Sequence, residues 1–360
     1  MMLTYKYRIK DATVGKHLTR YSKAVNFVWN YCCETQRKIE ASYKSGRPNC
    51  RWPSHFDFCK LTAGCTTELG LHSDTVNRIC KQFVVSRNAV KHCPKFRASG
   101  GPRCALGWVP FFSRTIKVED AFVVYLKRKF RFWKSRDILG VIKTGCFTQD
   151  PRGRWYICFQ CDVECNLPTG TGQIGIDLGL KTLATCSNGE KIPALHHYRQ
   201  YEAALTIQQR AGNKCRVRTI HAKIANARKD QLHKASLKIV RENQLIVVGN
   251  ISAAKFAKSR MAKSVLDASW SMLRIMLEYK ASRHQACYVE ADERFTSQMC
   301  SNCGNIPVSS PKGMGALGIR HWVCSGCGTS HDRDVNAARN ILFVGAERRP
   351  PAEEILALAS

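Results

Sequence analysis

Residues 300–303 read Cys-Ser-Asn-Cys, residues 324–327 read Cys-Ser-Gly-Cys, and residues 331–340 read His-Asp-Arg-Asp-Val-Asn-Ala-Ala-Arg-Asn. Two CxxC pairs joined by 20 residues have the spacing of a structural zinc ribbon, in which four thiolates surround one tetrahedral ion. Gly304 and Gly328 follow the two pairs, and glycine can take the positive φ that turns the chain back under a metal. The pairs lie among glycine, serine and asparagine, so buried thiols without a metal fit poorly. We therefore predict one structural Zn²⁺, held by Cys300, Cys303, Cys324 and Cys327.

Carboxylates occur directly after the second cysteine pair, at Asp332 and Asp334, ahead of an alanine-rich run that predicts a helix. Asp177 lies in another conspicuous segment, Ile174-Gly-Ile-Asp-Leu-Gly-Leu-Lys-Thr-Leu-Ala184. An apolar strand with one Asp, a glycine-containing bend and a second apolar strand are typical of the start of a ribonuclease H-like fold. A lone Asp in a strand is weak evidence, but together with the downstream acids it predicts a metal site.

The charge balance points to a polyanionic partner. The 360 residues include 57 Lys and Arg against 27 Asp and Glu, a formal net charge of +30. Such an excess opposes compaction by self-repulsion unless a polyanion neutralises it, so we predict nucleic-acid binding. The basic residues are spread along the whole chain, which suits a channel around a duplex better than a disordered basic arm.

The cysteines and the N-terminus indicate a reducing compartment. The 19 cysteines are an odd number, and the first residues, Met-Met-Leu-Thr-Tyr-Lys-Tyr-Arg, lack the apolar core of a signal peptide. No apolar run approaches the roughly 18 residues of a membrane span. We therefore expect reduced thiols, a cytoplasmic location and no membrane association.

Three segments together carry a family resemblance. GIDLGLKTLAT at 175–185, TSQMCSNCG at 296–304 and WVCSGCGTSHDRDVNAARNIL at 322–342 closely resemble TnpB, the transposon-encoded RNA-guided DNA nuclease family related to type V CRISPR effectors. The resemblance covers essentially the whole chain, although the N-terminal half matches mainly in the order and length of its parts. It implies a multidomain α/β fold: a β-barrel-like wedge module with a helical insertion, then a RuvC (ribonuclease H-like) domain with an inserted zinc ribbon.

The resemblance also implies the domain boundaries. Residues 1–12 would give the first strand of the wedge β module, 13–92 the helical recognition insertion, and 93–170 the rest of the wedge β module. The later boundaries would be 171–299 for the RuvC-like nuclease domain, 300–328 for the zinc ribbon, 329–345 for the end of the RuvC-like domain and 346–360 for a C-terminal tail.

A RuvC-type site holds two divalent metals, here expected to be Mg²⁺, with three carboxylates. The metals lie roughly 3.5–4 Å apart, activate a water and stabilise the leaving 3′-oxygen of a phosphodiester. On the resemblance, Asp177 is the first carboxylate and Asp334 the third. Asp332 is assigned a supporting role or a helix N-cap.

The second carboxylate departs from the family pattern. The family usually carries Glu at the end of the strand after the long helices, whereas this chain reads Val247-Val-Gly-Asn250 there. Either the site is inactive, or a carboxylate has moved to the neighbouring strand, which ends near Glu290 and Glu293. We predict Glu293 as the catalytic residue and magnesium ligand, with Glu290 as its alternative. Glu278 is expected on a helix exterior.

Retention of Asp177 and Asp334 favours relocation, since an inactive site would be free to lose either. The predicted function is RNA-guided DNA endonuclease, by two-metal phosphodiester hydrolysis. The alternatives are a nuclease-deficient, repressor-like RNA-guided DNA-binding protein and a zinc-ribbon accessory factor without a guide. The implied partners are a guide RNA derived from the transposon end and double-stranded target DNA with a short adjacent motif, bound by a monomer.

Overall fold

The computed structural model of the chain describes residues 1–10, 12–45, 51–164, 167–250, 269–313 and 315–347. The chain divides into two compact units, Met1–Glu164 and Cys165–Ser360, each with helices and strands. The architecture is therefore mixed α/β. No described helix is long and apolar enough to cross a membrane. Of the expected C-terminal tail at 346–360, the part after residue 347 lies outside the described residues.

The helices of the first unit follow its first strand. They are α1 (Ala12–Lys44), α2 (His55–Leu61), α3 (Thr66–Leu69) and α4 (Ser73–Val90). Apolar residues recur every three or four positions along α1, which gives the helix one apolar face. Trp29 of α1 packs edge-on against Phe83 of α4 with ring centroids 5.3 Å apart. The buried Arg87 of α4 donates to the side-chain oxygen of Gln36 of α1 at 3.0 Å, so this buried donor has an acceptor.

The strands of the first unit form two antiparallel sheets. The strands are β1 (Met2–Arg8), β2 (Trp108–Phe112), β3 (Ile116–Glu119), β4 (Phe122–Tyr125), β5 (Arg128–Arg131), β6 (Val141–Gln149) and β7 (Trp155–Asp162). One sheet has the order β1-β7-β6-β2 and the other β3-β4-β5. Phe147 of β6 contacts Phe111 of β2 at 5.4 Å and Phe130 of β5 at 5.2 Å between ring centroids. Aromatic side chains from both sheets therefore share one buried core.

The second unit is built on a five-stranded sheet. Its strands are β8 (Gly172–Leu178), β9 (Thr182–Cys186), β10 (Lys191–Pro193), β11 (Asn243–Gly249) and β12 (Cys287–Ala291), in the order β10-β9-β8-β11-β12. Strands β8, β9 and β10 are antiparallel, whereas β11 lies parallel to both β8 and β12. The helices are α5 (His197–Arg210), α6 (Lys214–Glu242), α7 (Trp270–Arg283) and α8 (Arg333–Glu347), and a small sheet pairs β13 (His321–Val323) with β14 (Ser330–Asp332).

Side-chain alternation assigns each face of this sheet to different helices. Ile174 and Ile176 of β8 share a buried cluster with residues of α6 and α7, including Leu277. The residues between these along each strand point to the other face, which packs against α8. Val247 of β11, for example, lies in a buried cluster with Ile341 of α8. Asp177, one position after Ile176, therefore lies on the α8 side.

Two glycines allow α8 to approach the sheet closely. A Cβ at Gly175 of β8 would lie 2.1 Å from the carbonyl oxygen of Ala338. A Cβ at Gly345 of α8 would lie 2.2 Å from Cγ1 of Val247. Neither position can hold a larger residue without displacing its neighbour.

Gly345→Ala should destabilise the protein, although alanine is normally the better helix residue. We expect a loss of about 1–3 kcal/mol in the free energy of unfolding, because the added methyl group overpacks the contact with Val247. Chemical denaturation measures the loss. Gly15→Ala in α1 is the control, since a Cβ there meets Trp155 at an ordinary 3.4 Å. A Gly345→Ala variant that is more stable than the unaltered chain would contradict the close approach.

Candidate metal centres

The four predicted zinc ligands come together. Their sulfur atoms all lie within 4.8 Å of one another, with Cys300–Cys327 at 3.6 Å and Cys303–Cys324 at 3.8 Å. Four sulfurs about 2.3 Å from a tetrahedral ion lie about 3.8 Å apart, so the cluster fits Zn²⁺ in size and in chemistry.

Both halves of this cluster use the same turn. The amide of Gly304 donates to the Cys300 carbonyl at 2.9 Å, and the amide of Gly328 donates to the Cys324 carbonyl at 2.8 Å. The two glycines have φ of +74° and +72°, which confirms the expectation of positive φ at both positions.

Polar groups favour the thiolate form of Cys327, whereas burial raises the pKa of the Cys300 thiol to about 11. Hydrogen bonds from Thr329, then from Asn302, lower the pKa of the Cys327 thiol to about 6. Nε2 of the buried His331 lies 3.0 Å from Cys300 Sγ. An imidazole N–H there can donate to the sulfur and offset part of the charge of four thiolates. The sequence reasoning missed His331, which lies only four residues after the second cysteine pair.

Two buried asparagines connect α8 to the first cysteine pair. The amide nitrogens of Asn336 and Asn340 each donate to the Met299 carbonyl at 2.7 Å. The amide nitrogen of Asn340 also donates to the Thr296 carbonyl at 2.7 Å, and Oδ1 of Asn336 accepts from the amide of Ser301 at 2.9 Å. The Asn-Ala-Ala-Arg-Asn run is thus more than a helix former, because its asparagines fix the backbone of residues 296–301.

The start of α8 holds the two acids of the Asp-Arg-Asp run in different roles. Oδ1 of Asp332 accepts from the amides of Asp334 and Val335 at 2.9 and 3.1 Å, which confirms the N-cap interpretation. Asp332 also pairs with Lys191 at 2.7 Å. Nη1 of Arg320 donates to both carboxylate oxygens of Asp334, at 3.0 and 2.9 Å. Arg320 was not predicted, since nothing in the sequence distinguishes it from the other basic residues.

Glu293 occupies the space beside Gly249. A Cβ built on Gly249 would lie 3.0 Å from Oε2 of Glu293 and 3.2 Å from Cδ1 of Ile341 in α8. The Glu293 carboxylate is therefore on the α8 side of the sheet, the side of Asp177. Phe295, two residues later, has φ of +62° in the turn that follows β12.

The other two glutamates lie elsewhere. Glu290 of β12 faces the α7 side, where it accepts from Tyr288 at 3.0 Å and from Arg274 of α7 at 3.4 Å. Its exposed side chain is thus on the opposite face of the sheet from Glu293. Glu278 is exposed on α7, as the sequence predicted.

The carboxylates on the α8 side influence one another electrostatically. Burial, and then the negative charges of Asp334 and Glu293, raise the pKa of Asp177 to about 8. Burial, and then the charge of Asp292, raise the pKa of Glu293. Within the described residues, the carboxylate oxygens of Asp177, Glu293 and Asp334 do not all lie within 4.8 Å of one another, as the four cysteine sulfurs do. The arrangement nevertheless concentrates negative charge where a divalent cation would relieve repulsion.

Two family descriptions match the segments that carry these residues, and several relatives match parts of the chain. The description "Cas12f1-like, TNB domain" matches residues 270–341, and "Probable transposase" matches residues 156–260. A "Putative RNA-guided DNA endonuclease" of Streptomyces pristinaespiralis is 38% identical over 213 residues, covering 55% of this chain and 52% of the relative. A "TnpB-like protein L79" of Acanthamoeba polyphaga mimivirus is 31% identical over 136 residues, covering 36% of this chain and 25% of the relative. The chain thus spans about half the length of the Streptomyces relative.

A solved structure shares the fold. The Cas12f1 chain of a cryo-EM Cas12f1–sgRNA–target DNA complex aligns with 92% of this chain and 83% of its own length, at a TM-score of 0.59 and 14% sequence identity. At that identity the likeness concerns the fold alone.

Replacing a zinc ligand should release the metal and weaken the second unit. We expect Cys300→Ser or Cys324→Ser to lose about one zinc per chain and to lower the melting temperature, because structural zinc binding is coupled to folding. Metal analysis of the purified protein and thermal unfolding measure the two effects. Cys215→Ser, at an exposed cysteine of α6, should change neither. Intact protein without zinc would contradict the assignment.

Removing the Asp177 charge should stabilise the metal-free protein at alkaline pH. The folded-state pKa is raised from 3.8 to about 8, so ionisation of Asp177 costs stability as pH rises through that window. Asp177→Asn should therefore melt higher than the unaltered chain at pH 8 without added divalent cations, and the difference should shrink toward pH 3.8. Asp332→Asn is the control and should melt slightly lower at pH 8, since it keeps the cap but loses the negative charge that pairs with Lys191 at the start of α8. A difference in melting temperature between Asp177→Asn and the unaltered chain that does not change with pH would contradict the raised pKa.

Proposed function

Since this chain belongs to the TnpB family, we propose that it is an RNA-guided DNA endonuclease that cuts target DNA by two-metal phosphodiester hydrolysis. The observation that carries the proposal is the Glu293 carboxylate, 3.0 Å from where a Cβ on Gly249 would lie. In the family pattern, the glutamate side chain would extend from the backbone at residue 249. Glu293 therefore brings a carboxylate into the space that the missing side chain would have used.

The second unit supports a RuvC-type, ribonuclease H-like assignment. Three antiparallel strands are extended by two parallel ones, and the acid-bearing strand β8 is central. Asp177 lies near the end of that strand, and Asp334 lies in the first turn of the helix packed on the same face. In the first unit, the helical stretch between β1 and β2 supports a recognition insertion at 13–92, and the two facing sheets support a wedge module.

The proposed chemistry assigns distinct roles to the residues of the site. Asp177, Glu293 and Asp334 would hold the metals, which when bound supply an activated water and stabilise the leaving oxygen. Burial and repulsion raise the pKa of Asp177, and both favour cation binding, because a divalent ion offsets the cost of ionising these half-buried carboxylates. Arg320 balances the charge of Asp334 through both carboxylate oxygens, and a guanidinium at this position can also contact a phosphate.

The charge distribution supports nucleic-acid partners. Helix α6 carries nine basic and two acidic residues. Two of its lysines are paired, Lys234 with Asp230 and Lys238 with Glu190, while Arg216, Arg218 and Lys223 are exposed. A guide RNA pairing with one strand of a double-stranded target, with a short adjacent duplex motif read by the protein, fits this excess of positive charge.

Two observations favour the second candidate, a nuclease-deficient RNA-guided DNA-binding protein. Residue 249 carries no acid, and both oxygens of Asp334 are engaged by Arg320. If that ion pair persists in the complex, the protein would bind its target without cutting it. Cleavage assays on the same purified complex separate the two functions.

Replacing any of the three proposed metal ligands should abolish cleavage while sparing binding. Asp177→Ala, Asp334→Ala and Glu293→Gln should each reduce Mg²⁺-dependent cleavage by about 10³-fold or more, since metal ligation contributes several kcal/mol to the transition state. Target binding by the guide complex should stay nearly unchanged. Glu290→Gln should do less harm and Glu278→Gln almost none, because their side chains lie on the α7 side or on the exterior of α7.

The role of Gly249 allows a stricter control. In the double variant Gly249→Glu/Glu293→Ala the carboxylate returns to residue 249 and the crowding with Glu293 is removed. This variant should cut faster than Glu293→Ala alone, whereas Gly249→Glu alone should be impaired. Full cleavage by Glu293→Gln would exclude Glu293 as a ligand, and tight target binding without any cutting in Mg²⁺ or Mn²⁺ would favour the second candidate.

A further inference from the structure

Two cysteines of the first unit, outside both proposed metal centres, lie directly opposite each other in a sheet. Cys146 of β6 and Cys158 of β7 are partners in the antiparallel register, and both thiols are free. The Cα atoms of directly opposed residues in an antiparallel pair lie about 4.5–5.5 Å apart. Disulfides usually span about 4.4–6.8 Å between Cα atoms, so the two sulfurs can join with little movement of either strand.

The sequence spacing suggests a different partner for Cys158, which the strand geometry excludes. Cys158-Phe-Gln-Cys161 has a CxxC spacing, but residues three apart in a strand point to opposite faces. Cys161 is fully buried on the core side of β7, whereas Cys158 is half-buried on the other face. Thr148 of β6 lies on that face, with its Oγ1 3.8 Å from the Cys158 sulfur, and Cys146 is two residues away on the same side. Both cysteines keep some exposed area there, so a small solute can approach the pair.

The contact between the two thiols makes one more acidic than the other. A hydrogen bond from Cys146 lowers the pKa of the Cys158 thiol to about 7, against the opposing effect of burial. The same contact, and then burial, raise the pKa of Cys146. Lys6 of β1 is the partner of Cys158 on its other side, and its positive charge also favours the Cys158 thiolate. Because the thiolate is the nucleophile in thiol chemistry, Cys158 is the residue that would attack an oxidant.

Another pair of neighbouring thiols in the first unit lacks this combination of properties. Cys33 of α1 lies beside Cys93, since both sulfurs lie 3.5 Å from the carbonyl oxygen of Pro94. Cys33 is fully buried, and burial, followed by the effect of Cys93, raises the pKa of its thiol to about 12. A buried thiol with a raised pKa is inert toward oxidants, so this pair provides an internal reference.

We propose that Cys146 and Cys158 form a redox-active dithiol, a modification site that hydrogen peroxide converts reversibly to a cross-strand disulfide. The Cys158 thiolate attacks one peroxide oxygen and the O–O bond breaks, which gives a sulfenic acid and a hydroxide ion that takes up the proton lost by Cys158. The Cys146 sulfur then attacks the Cys158 sulfur, the S–O bond breaks, and water leaves with the Cys146 proton. Two thiols and one peroxide thus give one disulfide and two water molecules, and a thiol reductant reverses the change.

The position of this cross-link predicts its effect on the fold. Strands β6 and β7 are the two central strands of the sheet β1-β7-β6-β2. A disulfide between Cys146 and Cys158 would hold them together after their hydrogen bonds have broken, which restricts the unfolded chain. Oxidation should therefore stabilise the first unit. The inference goes beyond the proposed function and needs neither a guide RNA nor a metal ion.

The test treats the reduced, full-length protein with hydrogen peroxide, blocks the remaining thiols with iodoacetamide and maps disulfides by peptide mass spectrometry. The first cross-link should join Cys146 to Cys158, and dithiothreitol should remove it. Cys33 and Cys93 should stay reduced under the same exposure. Cys104→Ser, at an exposed cysteine, is the control and should leave the cross-link unchanged.

Two variants separate the roles of the two thiols. Cys158→Ser should lose the cross-link and leave Cys146 unoxidised, because the nucleophile is absent. Cys146→Ser should also lose the cross-link but should accumulate a sulfenic acid at Cys158, which dimedone traps. Thermal unfolding of the reduced variants checks that each is folded.

The melting temperature gives an independent readout. The oxidised unaltered chain should melt several degrees higher than the reduced one, and this shift should vanish in Cys146→Ser. A first disulfide that joins other cysteines, or zinc release that precedes the Cys146–Cys158 cross-link, would overturn the proposal. A cross-linked chain that melts lower than the reduced chain would overturn it too, because the bond would then oppose the register of the strands. Failure of guided DNA cleavage would count against the proposed function and leave this inference standing.

Discussion

The second unit depends on buried hydrogen bonds that join α8 to the backbone of residues 296–301, the segment that leads into the first cysteine pair. Asn336 and Asn340 are at most 2% exposed, and both donate to the Met299 carbonyl at 2.7 Å. A buried carbonyl or amide left without its partner costs about 1–3 kcal/mol, so these contacts strongly favour a single arrangement. They fix residues 296–301, which follow Glu293, against the helix whose first turn carries Asp334.

This coupling gives a physical reason for a structural zinc ion beside a proposed nuclease site. The first pair is held from one side by the cluster of four cysteines and from the other by α8. The same helix lies on the sheet at Gly175, two residues before Asp177, with no room for a side chain between them. Energy gained on binding zinc would therefore also help to position the proposed metal-binding carboxylates, which come from three separate segments.

Local patterns could be predicted from the sequence, whereas contacts between segments could not. The positive φ of Gly304 and Gly328 and the cap made by Asp332 depend on residues a few positions apart, and the cysteine cluster follows from the known spacing of two CxxC pairs. The partner of Arg320 could not be predicted, because 57 basic residues offer equivalent candidates until the ribbon is folded. The faces of Glu290 and Glu293 depend on the register of β12 with β11 and on the turn after β12, where Phe295 takes a positive φ.

On the proposal that Glu293 is a metal ligand, Gly249 and Glu293 together would let the site keep a negative charge that a different residue supplies. Strands β11 and β12 are parallel neighbours, and Gly249 lies opposite Ala291, so the chain beyond β12 emerges next to the end of β11. The Glu293 side chain reaches back over residue 249, and a Cβ there would lie 3.0 Å from its carboxylate, so a larger residue would require that carboxylate to shift by a few tenths of an ångström. A glutamate at both positions would bring two negative charges together beside Asp177, whose pKa is already raised to about 8 by burial and by Asp334 and Glu293. On the proposal that Glu293 is a metal ligand, glycine at 249 therefore removes both a competing charge and a close contact from the place that the Glu293 carboxylate takes.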